Sequence, residues 1–297
     1  MNAREQGFLL LTSHLGLPQR KVLTVPQLRT LAARVRAAEA PAQDREMTAQ
    51  DLVALGYSRE EGQRIVDLLS DMEPLNWYLS KAAKRHCFAL TRVSDGYPQK
   101  LRNRLGVDCP GCLWVKGDIS LLDRPAAALI GSREILPDNR QFAAEAGYQA
   151  AHHGYVLISG NARGADKIAQ EACLQAGGSV ICVISDSLEA CPLEERVLYI
   201  SEDSFDAPFT AQRALSRNRV IHCLADLVLV AQCNCGKGGT WDGTVQNLRH
   251  GWSPVFCYRD GSVAADSLEQ GGAVLIDKNS LAQLNRLREL ISLRFDQ

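Results

Sequence analysis

The chain has 297 residues, 46% of them hydrophobic, and a formal net charge of -1 at pH 7. This length and composition are typical of a globular protein with one large and one smaller domain. The near-neutral charge excludes a globally basic protein, so any nucleic-acid site must be a local patch. No apolar run approaches the roughly 18 residues of a membrane span, and the apolar stretch 8–11 is too short for a signal peptide. We therefore expect a cytoplasmic protein that does not associate with membranes.

The first part of the chain, residues 1–85, predicts a small helical domain. Thr48 and Asp51 have the spacing of a cap at a helix N-terminus. The next predicted helix begins with two acidic residues, Glu60 and Glu61. Because these carboxylates would repel phosphate, the helical hairpin favours packing or partner contact over DNA binding.

From residue 86 the chain alternates between apolar strands and helices. The predicted strands are 113–115, 126–130, 155–158, 180–184, 196–200, 227–230, 255–258 and 273–276. The predicted helices are 99–105, 139–152, 165–176, 211–223 and 240–249. This alternation predicts an α/β fold, with an extended Rossmann-like, mostly parallel sheet and helices on both faces. We expect this domain to span 86–280, followed by a C-terminal helix over 281–297 and no winged-helix domain.

Three glycine-containing turns follow predicted strands, where an open α/β sheet binds its ligands. They are Gly131-Ser132-Arg133, Ser159-Gly160 and Gly236-Lys237-Gly238-Gly239-Thr240. Glycines let the backbone approach a phosphate closely, and helix N-termini offer free N–H groups. Arg133, Arg163 and Lys237 would line a basic cleft, which Arg217 and Arg219 could reach from their helix. Arginine suits phosphate because its guanidinium is a planar fork of donors.

For each of two polar residues near these turns, the sequence is consistent with two roles. Asp166 begins a helix and either caps it or binds a ribose hydroxyl. Asn218 lies between two arginines and either orients them or contacts the ligand.

Ten cysteines are unusual for a cytoplasmic protein. Cys109 with Cys112, and Cys233 with Cys235, offer four thiols, which is enough for zinc. The two pairs lack the spacing of a zinc ribbon, which favours reduced cysteines in loops and no metal. The sequence leaves zinc binding by these four residues open.

No hydrolytic motif is visible in the sequence. The Gly-x-Ser-x-Gly elbow and the Walker A lysine motif are both absent. The six histidines are not spaced with cysteine or aspartate as a metal cluster or a catalytic triad. We therefore expect neither a catalytic residue nor a cofactor.

Six motifs, in one order, resemble the DNA-processing protein A family, also called Smf, from about residue 52 to about residue 258. They are Tyr97-Pro98, Lys116-Gly117, Gly131-Ser132-Arg133, Ser159 to Asp166, Arg217-Asn218-Arg219 and Gly238-Gly239-Thr240. The resemblance implies an extended Rossmann fold that binds single-stranded DNA and hands it to the RecA recombinase during DNA uptake, natural transformation or recombination. We also expect a homodimer. The residues expected to bind DNA or phosphate are Gly131, Ser132, Arg133, Ser159, Gly160, Arg163, Gly164, Asp166, Arg217, Asn218, Arg219, Lys237, Gly238, Gly239 and Thr240.

The chain departs from the family pattern near the expected pocket. Gln170 stands where the family usually has histidine, and Gln232 where it usually has glutamate. These departures keep an alternative open, a sensor domain that binds a nucleotide-derived ligand in the same basic pocket. The related phosphoribohydrolases carry a glutamate where this chain has Gly243. Since a hydrolase needs a positioned carboxylate, the sequence favours a protein that is not an enzyme.

Overall fold

The computed structural model describes residues 1–38, 46–202 and 204–287. These residues form two compact units: 1–97 with 111–113, and 98–110 with the residues from 114 onward. The predicted helical domain, 1–85, lies within the first unit, and its boundary at residue 85 stays a prediction.

The first unit is mainly helical because short amphipathic segments are each started by a side-chain cap. Its elements are α1 (Ala3–Thr12), α2 (Val25–Ala37), α3 (Ala49–Ala54), α4 (Arg59–Ser70), α5 (Met72–Ala83) and β1 (Phe88–Thr91). Helices α1 to α4 all begin with a capping box, and Thr48 with Asp51 forms the one predicted from the sequence. Leu52 and Ile65 bring α3 and α4 into a buried apolar cluster with Leu23, Leu31 and Leu68.

The second unit contains the predicted alternation of strands and helices. Its strands are β2 (Cys112–Gly117, whose first two residues belong to the first unit), β3 (Ala126–Gly131), β4 (Val156–Ser159), β5 (Ser179–Ile184), β6 (Val197–Glu202), β7 (Leu227–Gln232), β8 (Val255–Tyr258) and β9 (Val274–Ile276). Its helices are α6 (Gln99–Leu105), α7 (Pro137–His152), α8 (Ala165–Gln175), α9 (Ala211–Leu224), α10 (Gly239–His250) and α11 (Val263–Gln270). The predicted α/β class is therefore confirmed.

The strand order determines where a ligand can bind. Strands β3 to β9 are all parallel, in the order β6-β5-β4-β3-β7-β8-β9, and β2 lies beyond β6. The chain runs outward from β3 to β6 and then returns to place β7 beside β3. This return reverses the order, and open α/β sheets bind ligands at such a switch point. Helix α7 packs against α8, and α9 packs against α10.

Two elements differ from the sequence-based expectation. Helix α11 was not predicted because it is only eight residues long; it is started by the Ser262 side chain, which accepts a hydrogen bond from the Ala265 amide. At the predicted C-terminal helix, the structure has a 3-10 helix, Lys278–Arg286, with non-helical backbone at Gln283. The rest of the predicted helix, 288–297, lies outside the described residues. Within the described ranges, no helix combines the length and apolar character needed to cross a bilayer.

Candidate nucleic-acid interface

An open cleft of about 1220 Å³ lies at the carboxyl ends of β3, β4 and β7. Pockets that enclose small ligands are usually about 300–1,000 Å³, so this cleft has room for an extended ligand. The structure brings most of the predicted binding residues together here. Those that line the cleft are Gly131, Ser132, Arg133, Gly160, Arg163, Asp166, Arg217, Asn218, Lys237, Gly238, Gly239 and Thr240.

Three helices begin at this cleft without a side-chain cap. The N-cap residues of α7, α8 and α10 are Leu136, Gly164 and Gly238, and none makes a side-chain capping bond. The first N–H groups of a helix have no partner within the helix, and they favour anions. The start of α10 is held in place by Thr240, whose hydroxyl donates to the Gly131 carbonyl at 3.1 Å. The first amide of α8, that of Ala165, already donates to the Ser132 carbonyl at 3.2 Å, and α7 begins with Pro137, which has no N–H. The start of α10 therefore adds backbone donors to the basic side chains of the cleft.

Four basic side chains in the cleft are exposed. Arg133, Arg163 and Lys237 were predicted from the sequence, and Arg140, one turn into α7, joins them. None of the four forms an ion pair with any residue in the described part of the chain. Their charge is therefore available to a polyanionic ligand.

Arg217 lies at the floor of the cleft and is 8% exposed. Its Nη1 donates to the carbonyls of Gly160 and Val183, at the ends of β4 and β5. Burial lowers the pKa of this guanidinium, while the nearby Asp166 carboxylate opposes the shift. Among the described residues, its Nη2 has no hydrogen-bond partner. Arg217 thus has a structural role through Nη1 and a donor left for a ligand.

Asp166 holds the loop that joins β4 to α8. Its Oδ2 accepts hydrogen bonds from the Gly160 amide at 2.9 Å and the Ala162 amide at 3.2 Å. A side chain at Gly160 would collide with Arg217 and Asp166, so the close approach requires glycine. Burial raises the pKa of Asp166 to about 6, and Arg217 and the two amides oppose that shift. Because Gly164 is the N-cap of α8, the interpretation of Asp166 as the cap is wrong; the ribose contact stays a prediction.

Three of the predicted binding residues lie outside the cleft lining. Arg219 instead faces Glu202 at the end of β6, with Nη2 3.6 Å from the carboxylate. Ser159 is fully buried and accepts a hydrogen bond from Gln170, so it supports the loop from below. Gly164 is the third. Direct ligand contact by these three residues is not favoured by their positions.

Two amides position the loops around the cleft. Asn218 Nδ2 donates to the Gly239 carbonyl at 2.9 Å and so orients the glycine turn. This role differs from both interpretations of Asn218, and its contact with a ligand stays a prediction. Gln232 Oε1 accepts from the Leu136 amide at 2.8 Å, and its Nε2 donates to the Glu134 carbonyl at 3.3 Å. A glutamate could accept the first bond but could not donate the second. Gln232 therefore fixes the segment that carries Arg133.

The cleft also contains exposed apolar residues that sequence reasoning did not select. Phe209, just before α9, is 51% exposed, and Leu215 on α9 is 54% exposed. Exposed aromatic rings provide stacking platforms for nucleic-acid bases. One feature of the sequence could have identified Phe209: it is an aromatic residue in the loop directly before the helix that carries Arg217-Asn218-Arg219.

The cysteines do not form a recognisable metal centre. Cys109, Cys112 and Cys233 are buried, whereas Cys235 is exposed. Over residues 1–38, 46–202 and 204–287, no three His, Cys, Asp or Glu side chains are grouped as metal ligands. Burial raises the pKa of the Cys233 thiol to about 12, so this sulfur stays protonated at neutral pH.

Comparison with known proteins identifies the family. Residues 88–291 match the model of a family described as DNA recombination-mediator protein A. The chain belongs to this family. The resemblance inferred from the six motifs is thereby confirmed.

Named relatives agree with this assignment. The chain is 31% identical to Protein Smf of Escherichia coli (strain K12) over 156 residues, which are 49% of this chain and 41% of that protein. It is 31% identical to DNA processing protein DprA of Streptococcus pneumoniae over 157 residues, which are 49% of this chain and 54% of that protein. The chain thus spans about half the length of the curated relatives that it matches.

Solved structures confirm the fold. A crystal structure of DprA from Streptococcus pneumoniae has a TM-score of 0.68 at 24% identity, covering 93% of this chain and 95% of that one. A structure of DNA processing protein A from Helicobacter pylori, which concerns that protein's single-stranded DNA binding mode, has a TM-score of 0.57 at 26% identity. It covers 67% of this chain and 96% of that one.

Proposed function

We propose that this chain binds single-stranded DNA in the cleft at the carboxyl ends of β3, β4 and β7. The observation that carries the proposal is a set of four exposed cations in one open cleft of a near-neutral chain, none of them ion-paired with a residue that the structure describes: Arg133, Arg140, Arg163 and Lys237. Phosphates are bound by these cations and by the N-terminus of α10.

The exposed ring of Phe209 supports a single strand as the form of the nucleic acid. A base can stack on an exposed ring only when it is released from a double helix. An aromatic residue beside the basic wall therefore favours a single strand, with little preference for sequence, because phosphates carry no base information. The volume of the cleft favours several nucleotides over the single nucleotide of a sensor domain.

The remaining parts of the proposal follow from family membership. We propose that the protein acts in the cytoplasm as a homodimer and passes its DNA strand to RecA. We propose binding without hydrolysis, because Gly243 occupies the position where the related hydrolases have a glutamate. Release of product from adenosine monophosphate would contradict this part.

Substitutions in the cleft test the DNA-binding proposal. Arg133→Ala and Arg163→Ala should each weaken binding of labelled oligothymidylate by about tenfold, as expected for loss of a charge-assisted hydrogen bond. Both side chains are exposed, so the free energy of unfolding should change by no more than about 0.5 kcal/mol. Titration and thermal melting measure the two effects.

The matched control is Arg249→Ala, at the far end of α10 from the cleft. It removes the same charge from the chain and should leave the affinity unchanged. Free nucleotides are titrated in parallel. Equal affinity of the wild type and both cleft variants would refute the assigned cleft, and tight binding of a mononucleotide alone would support the sensor domain.

A further inference from the structure

A second surface with the chemistry of a nucleic-acid contact lies on the first unit, on α5 and the start of β1. Trp77 is 59% exposed and Phe88 is 55% exposed. Between Pro74 and Ser94 the chain carries four cations, Lys81, Lys84, Arg85 and Arg92, and no aspartate or glutamate. We call Trp77, Lys81, Lys84 and Phe88 the α5 patch.

The α5 patch follows one side of the helix. Positions 77, 81 and 84 are spaced i, i+4 and i+7, which places them on one stripe. Lys81 Nζ lies 5.9 Å from the centre of the Trp77 ring. The buried residues of α5 are Leu75, Tyr78 and Ala82, so the stripe is not the face that packs into the core.

The turn after α5 places Phe88 only four residues after Lys84 in the chain. His86 has a left-handed backbone conformation with φ of 57°, and the Cys87 amide donates to the Ala82 carbonyl at 2.9 Å. The chain therefore leaves the helix at once and enters β1 at Phe88. Lys84 and Arg85 suit the negative end of the helix dipole, but the dipole gives no reason to expose two aromatic rings.

We propose that the α5 patch is a second contact surface for single-stranded nucleic acid, separate from the cleft. Trp77 and Phe88 offer stacking surfaces for bases, while Lys81 and Lys84 bind phosphate. Glu73, one turn before Trp77, is the carboxylate on this stripe, and the four cations that follow it outnumber it. This excess of positive charge favours a polyanion over a second copy of this near-neutral chain. Trp77, Lys81 and Lys84 precede residue 88, where the family match begins.

Tryptophan fluorescence of the full chain reads out this surface once Trp241 is replaced, because Trp241 follows the cleft residue Thr240 and would respond to DNA bound in the cleft. Trp114 is fully buried, so it is shielded from a ligand, whereas Trp77 is exposed. Oligothymidylate should quench the fluorescence of Trp241→Phe, and adding Trp77→Phe should remove most of that quenching. Adding Trp252→Phe instead is the matched control and should retain it. Quenching of equal size with and without Trp77→Phe would overturn the proposal.

Affinity gives a second measurement. Trp77→Ala combined with Lys84→Ala should weaken binding of long oligothymidylates by about tenfold, the lower range for loss of one stacked base. Lys21→Ala removes an exposed lysine of the same unit and should have no effect. Thermal melting verifies that each variant folds.

The test separates this proposal from that for the cleft. If Arg133→Ala and Arg163→Ala leave DNA affinity unchanged while the α5 variants lose affinity, the α5 patch is supported and the cleft is not. The reverse result would overturn the α5 proposal. Sedimentation of the protein without DNA tests whether the α5 patch is instead covered by a second copy of the chain. If Trp77→Ala abolishes self-association and leaves DNA affinity unchanged, the patch is a dimer contact and the proposal is wrong.

Discussion

Asp166 is a single residue whose burial affects both the cleft and the stability of the chain. The residue is 6% exposed, and its carboxylate holds the Gly160 and Ala162 amides, while Arg217 lies close enough to favour its charged form. Burial is nevertheless the largest effect, and it raises the pKa to about 6 from an ordinary 3.8. The loop beneath the cleft thus depends on a carboxylate that is costly to keep charged.

Asp166→Asn should reveal this cost through the pH dependence of stability. Between pH values of 3.8 and about 6 the folded chain binds more protons at this residue than the unfolded chain does. Its contribution to stability is therefore present at low pH and lost as pH rises through about 6. The free energy of unfolding of wild type minus that of the variant should fall by about 2 kcal/mol from pH 4 to pH 7.

Denaturant unfolding at several pH values measures this difference. The variant keeps an oxygen that can accept both amide hydrogen bonds, so the loop geometry should survive. Asp266→Asn, at an exposed position of α11, is the matched control. If the free energy of unfolding of wild type minus that of the variant rises with pH or stays constant, burial is not the largest influence on the pKa of Asp166.

At the scale of elements, α7 and α8 pack closely enough that a single methyl group matters. Gly147 is buried in α7, and a Cβ added there would lie 3.0 Å from Ala169 Cα and closer still to the Ala169 carbonyl in α8. These helices begin at the segments that carry Arg133 and Arg163. Their spacing therefore positions two of the cleft cations.

Gly147→Ala should destabilise the chain by about 1–3 kcal/mol, because overpacking outweighs the better helix propensity of alanine. Gly7→Ala in α1 is the control, since the nearest atom to its added Cβ is 4.0 Å away. That variant should be as stable as wild type or slightly more stable. Equal effects of the two substitutions in chemical denaturation would rule out close packing at the α7–α8 contact.

At the scale of the whole molecule, positive charge is concentrated in one cleft and is not a property of the whole chain. The chain has 33 basic and 34 acidic residues, yet one cleft is lined by four exposed cations that form no ion pair within 1–38, 46–202 and 204–287. Long-range attraction by the net charge is therefore absent, and binding depends on the local field.

DNA affinity should accordingly fall steeply with salt. Each phosphate neutralised on a single strand contributes a slope of about -0.7 to log affinity against log salt, so four cleft cations predict about -3. Fluorescence anisotropy between low and moderate salt measures this slope. Arg133→Ala and Arg163→Ala should each make it shallower, whereas Arg249→Ala should not. A slope near zero would mean that phosphate contacts do not carry the binding.

Much of the fold could be predicted from the sequence because its signals are local. Eight apolar strands of the second unit were predicted, since a buried parallel strand is a continuous apolar run. The start of α3 followed from Thr48 and Asp51, whose capping bonds join residues three positions apart. Helix α11 was missed because eight residues give little periodicity.

The sequence by itself determined the α/β class, the family motifs and the glycine turns at strand ends, because each depends on residues close together in the chain. Only the tertiary structure decided which side chains share the cleft. Arg217 and Arg219 are two positions apart, about 200° around the helix, so packing of α9 turns Arg217 toward the cleft and Arg219 toward Glu202. Arg140 joins the site because α7 begins at the end of β3, beside β7, and Phe209 joins it because α9 carries the chain from β6 back to β7.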